Sequence, residues 1–264
     1  MGKKIISYSL YNGRTKDVVN GVINCFLAEK IYPGWICRFY IDDTLPTSIK
    51  QALSTFDHVE IVEMPRHRGS EAMLWRFHPA SEEDVDIMIS RDGDSWLSYR
   101  ELSCVNEFIE SDKQFHIIRD HCYHSQKIMG GVWGAKKGAF SRMKDLAEEF
   151  SRNNTYDQGF LAEHVYPHVV SNSMIHLGDQ YDNKGQKTNG YFNDGGIPIP
   201  EYTEHPIENF SFEEVNSMNG FRCAHCGKVH DVFIGGIMEN IPQRSLDFLR
   251  SYFVEKGIDT SILG

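Results

Sequence analysis

Apolar residues along the first 120 positions come in short blocks, and the blocks switch between two periods. Residues 4–10 form one compact apolar run, the pattern of a buried strand. Val19, Val22, Ile23, Phe26 and Leu27 then recur at helical offsets on one face, with Thr15 placed to cap the segment. Pro33-Gly34 stops that helix, and residues 35–41 read as a second strand. A short helix over 49–54 leads to a third strand at 59–64, a helical turn near 71–77 and a fourth strand at 86–90. Ser98 and Glu101 have capping-box spacing ahead of Leu102, Val105 and Ile109, so a helix starts there and a further strand follows at 115–118. This alternation predicts an α/β fold, a Rossmann-like and mostly parallel central sheet with helices on both faces.

The second half is less regular. Phe140, Met143, Leu146 and Phe150 mark one helix, and Phe160, Leu161 and Val165 another. Residues 178–206 are rich in Gly, Asn, Asp and Pro, the composition of a functional loop or a linker. The pattern divides the chain into a main domain over 1–206 and a small C-terminal appendage over 207–264. That appendage carries an amphipathic helix with Leu246, Leu249 and Phe253 behind Pro242. Charge narrows the function: 27 Lys+Arg against 37 Asp+Glu leave a net −10. Such a balance argues against gripping nucleic acid or docking on anionic lipid. A phosphate-bearing ligand would then be handled locally, by a few Arg or Lys or by a metal. No apolar run approaches the roughly 20 residues of a transmembrane segment. The N-terminus turns polar too soon for a signal peptide. Cys25, Cys37, Cys104 and Cys122 lie in or beside apolar segments, as buried reduced thiols do. A cytoplasmic protein is expected.

The chemistry concentrates in Ile87-Met88-Ile89-Ser90-Arg91-Asp92-Gly93-Asp94-Ser95. In extended backbone residues i and i+2 point the same way, so Asp92 and Asp94 can converge, and Gly93 permits a turn or a close approach. Open α/β sheets bind ligands at the carboxyl ends of their strands. Two acidic oxygens there suit a hard divalent cation that bridges to a diphosphate. An Asp-Gly-Asp is also an ordinary turn; its place directly behind a buried strand favours the ligand.

Arg91-Asp92-Gly93-Asp94-Ser95 resembles the Asp-x-Asp motif of nucleotide-sugar-dependent glycosyltransferases of the GT-A fold. An ordered set agrees with it: Ser7-Tyr8-Ser9-Leu10-Tyr11-Asn12-Gly13, Tyr32-Pro33-Gly34-Trp35, Ile41-Asp42-Asp43, Leu74-Trp75-Arg76-Phe77, Arg100-Glu101, Ile118-Arg119-Asp120-His121, Gly130-Gly131-Val132-Trp133-Gly134 and Tyr156-Asp157-Gln158-Gly159-Phe160-Leu161. Together these are similar to glycosyltransferase-like proteins, viral ones among them, over roughly residues 3–180. The resemblance implies a GT-A-like fold and transfer of a sugar from a nucleotide-diphosphate sugar, of UDP or GDP type, to a hydroxyl of a saccharide or protein-linked glycan. It implies Mn²⁺ or Mg²⁺ as cofactor and, for a viral source, the host cytoplasm as location. Asp92 and Asp94 would contact ribose and metal, and Tyr8, Ser9 and Leu10 would line the nucleotide pocket. Arg76 and Arg91 would meet the donor diphosphate or fix the carboxylates, Arg91 being equally a structural ion-pair partner.

Sugar transfer also needs an acceptor hydroxyl deprotonated. Asp157, opening a helix after a polar loop, is the candidate; it equally suits the first turn of that helix, where a carboxylate complements the dipole. Gly131 and Trp133 would border the donor sugar, or form a tight turn with a core Trp. Many GT-A enzymes place a late histidine on the metal, and His176 is the position expected here, against the reading of a satisfied core residue. Cys223 and Cys226, with His230, have the spacing of a structural Zn²⁺ half-site, or are two free thiols in a turn. Two rival functions stay open. One is a sugar-phosphate nucleotidyltransferase, whose Gly-rich loop Tyr11-Asn12-Gly13-Arg14-Thr15-Lys16 matches only thinly; the other is a non-catalytic carbohydrate-binding protein.

Overall fold

The computed structural model describes residues 2–67, 69–121, 124–151, 156–178, 180–181, 187–188, 194–210, 221–222, 229–230, 233–238 and 240–264. Seven strands come first: β1 (Lys3–Leu10), β2 (Ile36–Ile41), β3 (Val59–Glu63), β4 (Val85–Ser90), β5 (Phe115–Arg119), β6 (Trp133–Lys136) and β7 (Ser173–Leu177). The short pairs β8 (Gln180–Tyr181) with β9 (Lys187–Thr188), and β11 (Phe221–Arg222) with β12 (Val229–His230), stand outside the main sheet. With β10 (Ile197–Pro198), the first seven build one sheet in the order β10-β7-β5-β6-β4-β1-β2-β3. Every neighbouring pair is parallel except those of β6, which runs against both β4 and β5. The expected mostly parallel α/β sheet is thus present. The reversed strand is the part that periodicity did not signal: β6 has only four residues, and Trp133, Gly134 and Ala135 are all buried.

On one face lie α1 (Thr15–Ile31), α2 (Thr47–Leu53) and α3 (Tyr99–Glu110). The other carries a 3₁₀ helix (Ser70–Ser81), α4 (Met143–Ser151), α5 (Asp157–Phe160) and α6 (Tyr166–Val169). The last helix, α7 (Gln243–Glu255), packs outside α1, and its Leu249 and Phe253 share a core with Val22, Phe39 and Ile49. Burying two such side chains is worth about 1.5–3 kcal/mol each. From the segment 207–264, expected as an appendage, Phe210, Met238, Leu249, Phe253, Ile258 and Leu263 share the core on this face of the main sheet. This cover also explains why α1 is buried nearly all round, including Asn20 and Asn24, instead of along one stripe. Its first helical residue is Thr15 itself; Arg14 takes the cap position and makes no side-chain cap bond. At α3 the spacing worked as read: Ser98 Oγ accepts from Glu101 N at 3.1 Å. Among the described residues no helix is long and apolar enough to cross a membrane.

Candidate active site

Strand alternation sorts the residues of β1. Tyr8 and Leu10 point to the α1 face; Tyr8 is fully buried and stacks on Phe39 at 4.8 Å, and Leu10 lies under Gly21 and Gly93. Neither lines a pocket, which corrects the expectation from sequence. Ser9 faces the other way, where its Oγ accepts from Arg76 N at 3.1 Å. The chain then leaves the sheet through Tyr11 and Asn12, the latter at φ 63°, into a cavity of about 460 Å³. Tyr11, Asn12, Arg14, Thr44, Arg66 and His67 line it, with Gly69 and Met73. Its floor is ordered by Asp42, which accepts from Thr44 N and Oγ1 and from His67 N, and meets His67 Nδ1. Burial alone would raise the Asp42 carboxyl, but these bonds hold it down at about 2. The His67 ring sits edge-on to Tyr11 at 5.0 Å, and its Nε2 reaches Asn12 Oδ1 at 2.6 Å.

Beside this cavity the acids converge. Arg76, from the 3₁₀ helix and 5% exposed, donates from Nη1 to Asp92 Oδ1 at 2.5 Å and from Nη2 to Asp157 Oδ2 at 2.8 Å. One guanidinium therefore ties the end of β4 to the start of α5, across 16 and 81 positions of sequence. Burial opposes the Arg76 charge, yet Asp92 and Asp157 outweigh it and hold its pKa above the ordinary value. Burial pushes the Asp157 carboxyl up while Arg76 pulls it back, and its Oδ1 accepts from Gln158 N at 2.8 Å. Gly130 and Gly131 are the backbone that lets these carboxylates in. A Cβ on Gly131 would overlap Asp92 Oδ2, and one on Gly130 would overlap Asp157 Oδ2 and lie 2.5 Å from Arg76 Nη2.

Asp94 meets Lys16 Nζ at 3.2 Å, and burial together with the Asp92 charge raises its pKa. A third acid, Asp17, lies close by: burial and then Asp94 raise its carboxyl, and its Oδ1 is buried without a hydrogen-bond partner. The Asp-Gly-Asp turn itself is held from α1. Asn24 donates to Gly93 O at 3.3 Å and Ser95 O at 2.8 Å and accepts from Leu97 N at 3.1 Å. Asn20 donates to Met238 O and accepts from Trp96 Nε1, while Met238 N donates to Asp94 O.

No protein-family model matches the chain, and no curated protein matches it in sequence. Among solved structures it is similar to a glycosyltransferase involved in glycosylation of the major capsid of PBCV-1, at 14% identity over 66% of this chain and 82% of that one, with a TM-score of 0.47. The 4-diphosphocytidyl-2C-methyl-D-erythritol synthase from Anaerococcus prevotii gives 11% identity, 67% and 87% coverage, and 0.46. The galactosyltransferase LgtC with donor and acceptor sugar analogs gives 10%, 69% and 74%, and 0.44. Values this low carry no assignment of function.

Several expected site residues lie elsewhere. Arg91 is 1% exposed, its Nε 2.9 Å from Glu101 Oε1 and its Nη1 bonded to Ser90 O; of its two readings the structural ion pair is the one found, and it meets no pocket. Trp133 is fully buried between Phe115 and Phe77, a core indole with no face for a sugar. His176 does not reach the acids either. Its Nδ1 meets His116 Nε2 at 2.8 Å and its Nε2 meets Glu107 Oε2 at 2.9 Å, so both nitrogens are engaged beneath α3. Cys223 and Cys226, and with them the Zn²⁺ expectation, lie outside the described residues. Asp92, Asp94, Arg76, Asp157, Ser9 and Gly131 are the expected residues that come together. The positions that sequence missed include Asp17, Asn20, Asn24, Arg66 and His67; for Asn20 and Asn24 the available signal was two amides inside the apolar stretch 18–28.

Proposed function

We propose that this chain is a metal-dependent glycosyltransferase. It moves a sugar from a UDP- or GDP-type nucleotide sugar to a hydroxyl of a saccharide or protein-linked glycan. The observation that carries this reading is the convergence of Asp92, Asp94, Arg76 and Asp157 at one sheet edge, beside a cavity of about 460 Å³ lined by Tyr11 and His67. That volume lies in the range of small-ligand sites.

The donor set fits a hard dication. All its atoms are carboxylate oxygens, and Asp17 Oδ1 beside them is buried without a hydrogen-bond partner. Among the described residues no three His, Cys, Asp or Glu side chains form a metal-holding group. Asp92 and Asp94 would therefore supply two carboxylates and leave the remaining positions to donor phosphates and water, the usual habit of Mg²⁺. Bound there, Mn²⁺ or Mg²⁺ supplies a Lewis acid for the charge that develops on the departing diphosphate.

The chain's own residues do the rest. Tyr11 and His67 flank the nucleoside, and the guanidinium groups of Arg14 and Arg66 stand on the cavity rim within reach of phosphate. Arg76 fixes Asp92 and keeps it from drifting toward Asp94. Asp157 is the base for the acceptor: burial raises its proton affinity toward the useful range, against the opposing pull of Arg76. The test is Mn²⁺-dependent binding and hydrolysis of a panel of UDP- and GDP-sugars. Wild-type protein should bind at least one donor saturably with Mn²⁺, and Asp94→Asn should lose that binding at an unchanged melting temperature. Donor binding that survives both chelator and Asp94→Asn removes the metal from the reading, and no binding across the panel removes the transferase.

A further inference from the structure

The two acids are neutralised by cations of different kinds. Arg76 is 5% exposed and held from two sides, by Asp92 and Asp157. Lys16 sits in the first turn of α1, its side chain 28% exposed, and meets Asp94 at 3.2 Å. An ammonium on a four-carbon stem is a movable point charge, whereas a guanidinium clamped by two carboxylates is not. Around Asp94 other carboxylates crowd in: Asp92 stands two positions away in the same turn, and Asp17, next to Lys16 on α1, has an Oδ1 buried without a hydrogen-bond partner.

We infer that Lys16 is the resting counter-ion of the metal position: its ammonium occupies the Asp94 carboxylate until a divalent cation displaces it, while Arg76 stays on Asp92. This rests on the metal reading proposed above and adds to it an order of events and a residue. Charge balance follows directly. An incoming dication replaces a monocation at Asp94, and the displaced ammonium, still tethered to α1, stays within a side-chain length of the site, where an anionic diphosphate retains it. Metal and donor binding are then coupled through Lys16. Without donor the lysine competes with the metal; with donor it has a new partner and the competition lapses.

The test reads Mn²⁺ affinity directly, by electron paramagnetic resonance of the free ion, in full-length protein without donor and then with a saturating nucleoside diphosphate. Lys16→Met should bind Mn²⁺ about tenfold more tightly than wild type without nucleotide, about 1.4 kcal/mol, and should lose most of the tightening that nucleotide gives wild type. Lys16→Arg keeps the charge and should resemble wild type. Lys50→Met, which removes an exposed lysine paired with Glu63, sets the effect of net charge alone and should change nothing. Equal or weaker Mn²⁺ binding by Lys16→Met overturns the inference while leaving the metal site standing. Binding of Mn²⁺ by Lys16→Met where wild type binds none supports it. Absence of Mn²⁺ binding in every variant overturns the inference and the metal reading together.

Discussion

Gly131 offers the sharpest test of the site's geometry. A methyl group built there lies 2.5 Å from Asp92 Cγ and 2.9 Å from the Asp92 backbone N, where ordinary contacts begin near 3.4 Å. In Gly131→Ala the carboxylate carbon must retreat by about 0.9 Å, the difference between 2.5 and 3.4 Å, and Oδ2, which lies closer still, by more. It cannot do so and keep Arg76 Nη1 at 2.5 Å, so either the ion pair breaks or Arg76 follows and drags Asp157 with it. Misplacing a reacting group by about 1 Å costs on the order of 100-fold in rate. Overpacking of this kind costs about 1–3 kcal/mol of stability. The expected result is a folded protein with Mn²⁺-dependent donor turnover down about 100-fold and weaker Mn²⁺ binding. Gly138→Ala is the companion: φ there is +79° with nothing within 4 Å, so it carries backbone strain but no clash with the acids. It should lose about 1 kcal/mol and no activity. Turnover and Mn²⁺ affinity in Gly131→Ala within twofold of wild type would refute the claim that the glycine holds Asp92 in place.

Arg91→Met should lower stability in urea by about 3–5 kcal/mol, because it strands Glu101 as a buried charge; donor affinity measured well below the melting transition should be unchanged. Asn24→Leu removes the partners of Gly93 O, Ser95 O and Leu97 N, and calorimetry should show a loss of about 2–4 kcal/mol together with weaker Mn²⁺ binding as the acid turn loosens. Burial drives His78 from 6.5 down to about 4. The unfolded chain therefore takes up a proton that the native protein refuses, and the stability is present above pH 6.5 and lost as pH falls toward 4. Between pH 7.5 and 5 wild type should lose about 2 kcal/mol more than His78→Gln in urea titrations; equal losses would exclude His78 as the cause.

How much of this the sequence disclosed depended on whether a residue's role was local. The strands β1 to β5 and helix α3 were readable because buried runs and a capping serine leave marks within a few positions. The strand β6 was not, since its four residues, covered on both faces, show neither period. The acids Asp92 and Asp94 were legible for the same local reason, two carboxylates directly behind a strand. Tyr8 and Leu10 were misplaced because sequence gives their distance from the motif but not the parity of β1, and Arg91's two readings stayed open because sequence does not show the buried partner, Glu101, that claims the arginine. His176 shows the limit most clearly. It lies on β7, late in the chain as expected, and only the fold reveals that His116 and Glu107 already occupy its nitrogens.

The local charge explains why such a site suits a protein with ten excess negative charges. Asp17, Asp92, Asp94 and Asp157 stand against two closely paired cations, Lys16 and Arg76; Arg14 reaches Asp17 only at 4.0 Å and from a largely exposed side chain. Two negative charges are left nearly uncompensated, the deficit that one divalent cation fills. A nucleotide sugar arriving with its own diphosphate restores the deficit. The largely exposed guanidinium groups at the cavity rim, Arg14 and Arg66, the latter paired with Asp43 at 3.3 Å, are the groups positioned to meet it. On the function proposed above, the metal and the donor would be two halves of one neutralisation. Without the metal the donor diphosphate would meet two uncompensated carboxylates, and by linkage the donor would strengthen metal binding by the same factor that the metal strengthens donor binding. The protein should accordingly bind donor poorly without metal and metal poorly without donor, and a titration in which the two affinities are independent would count against the shared site.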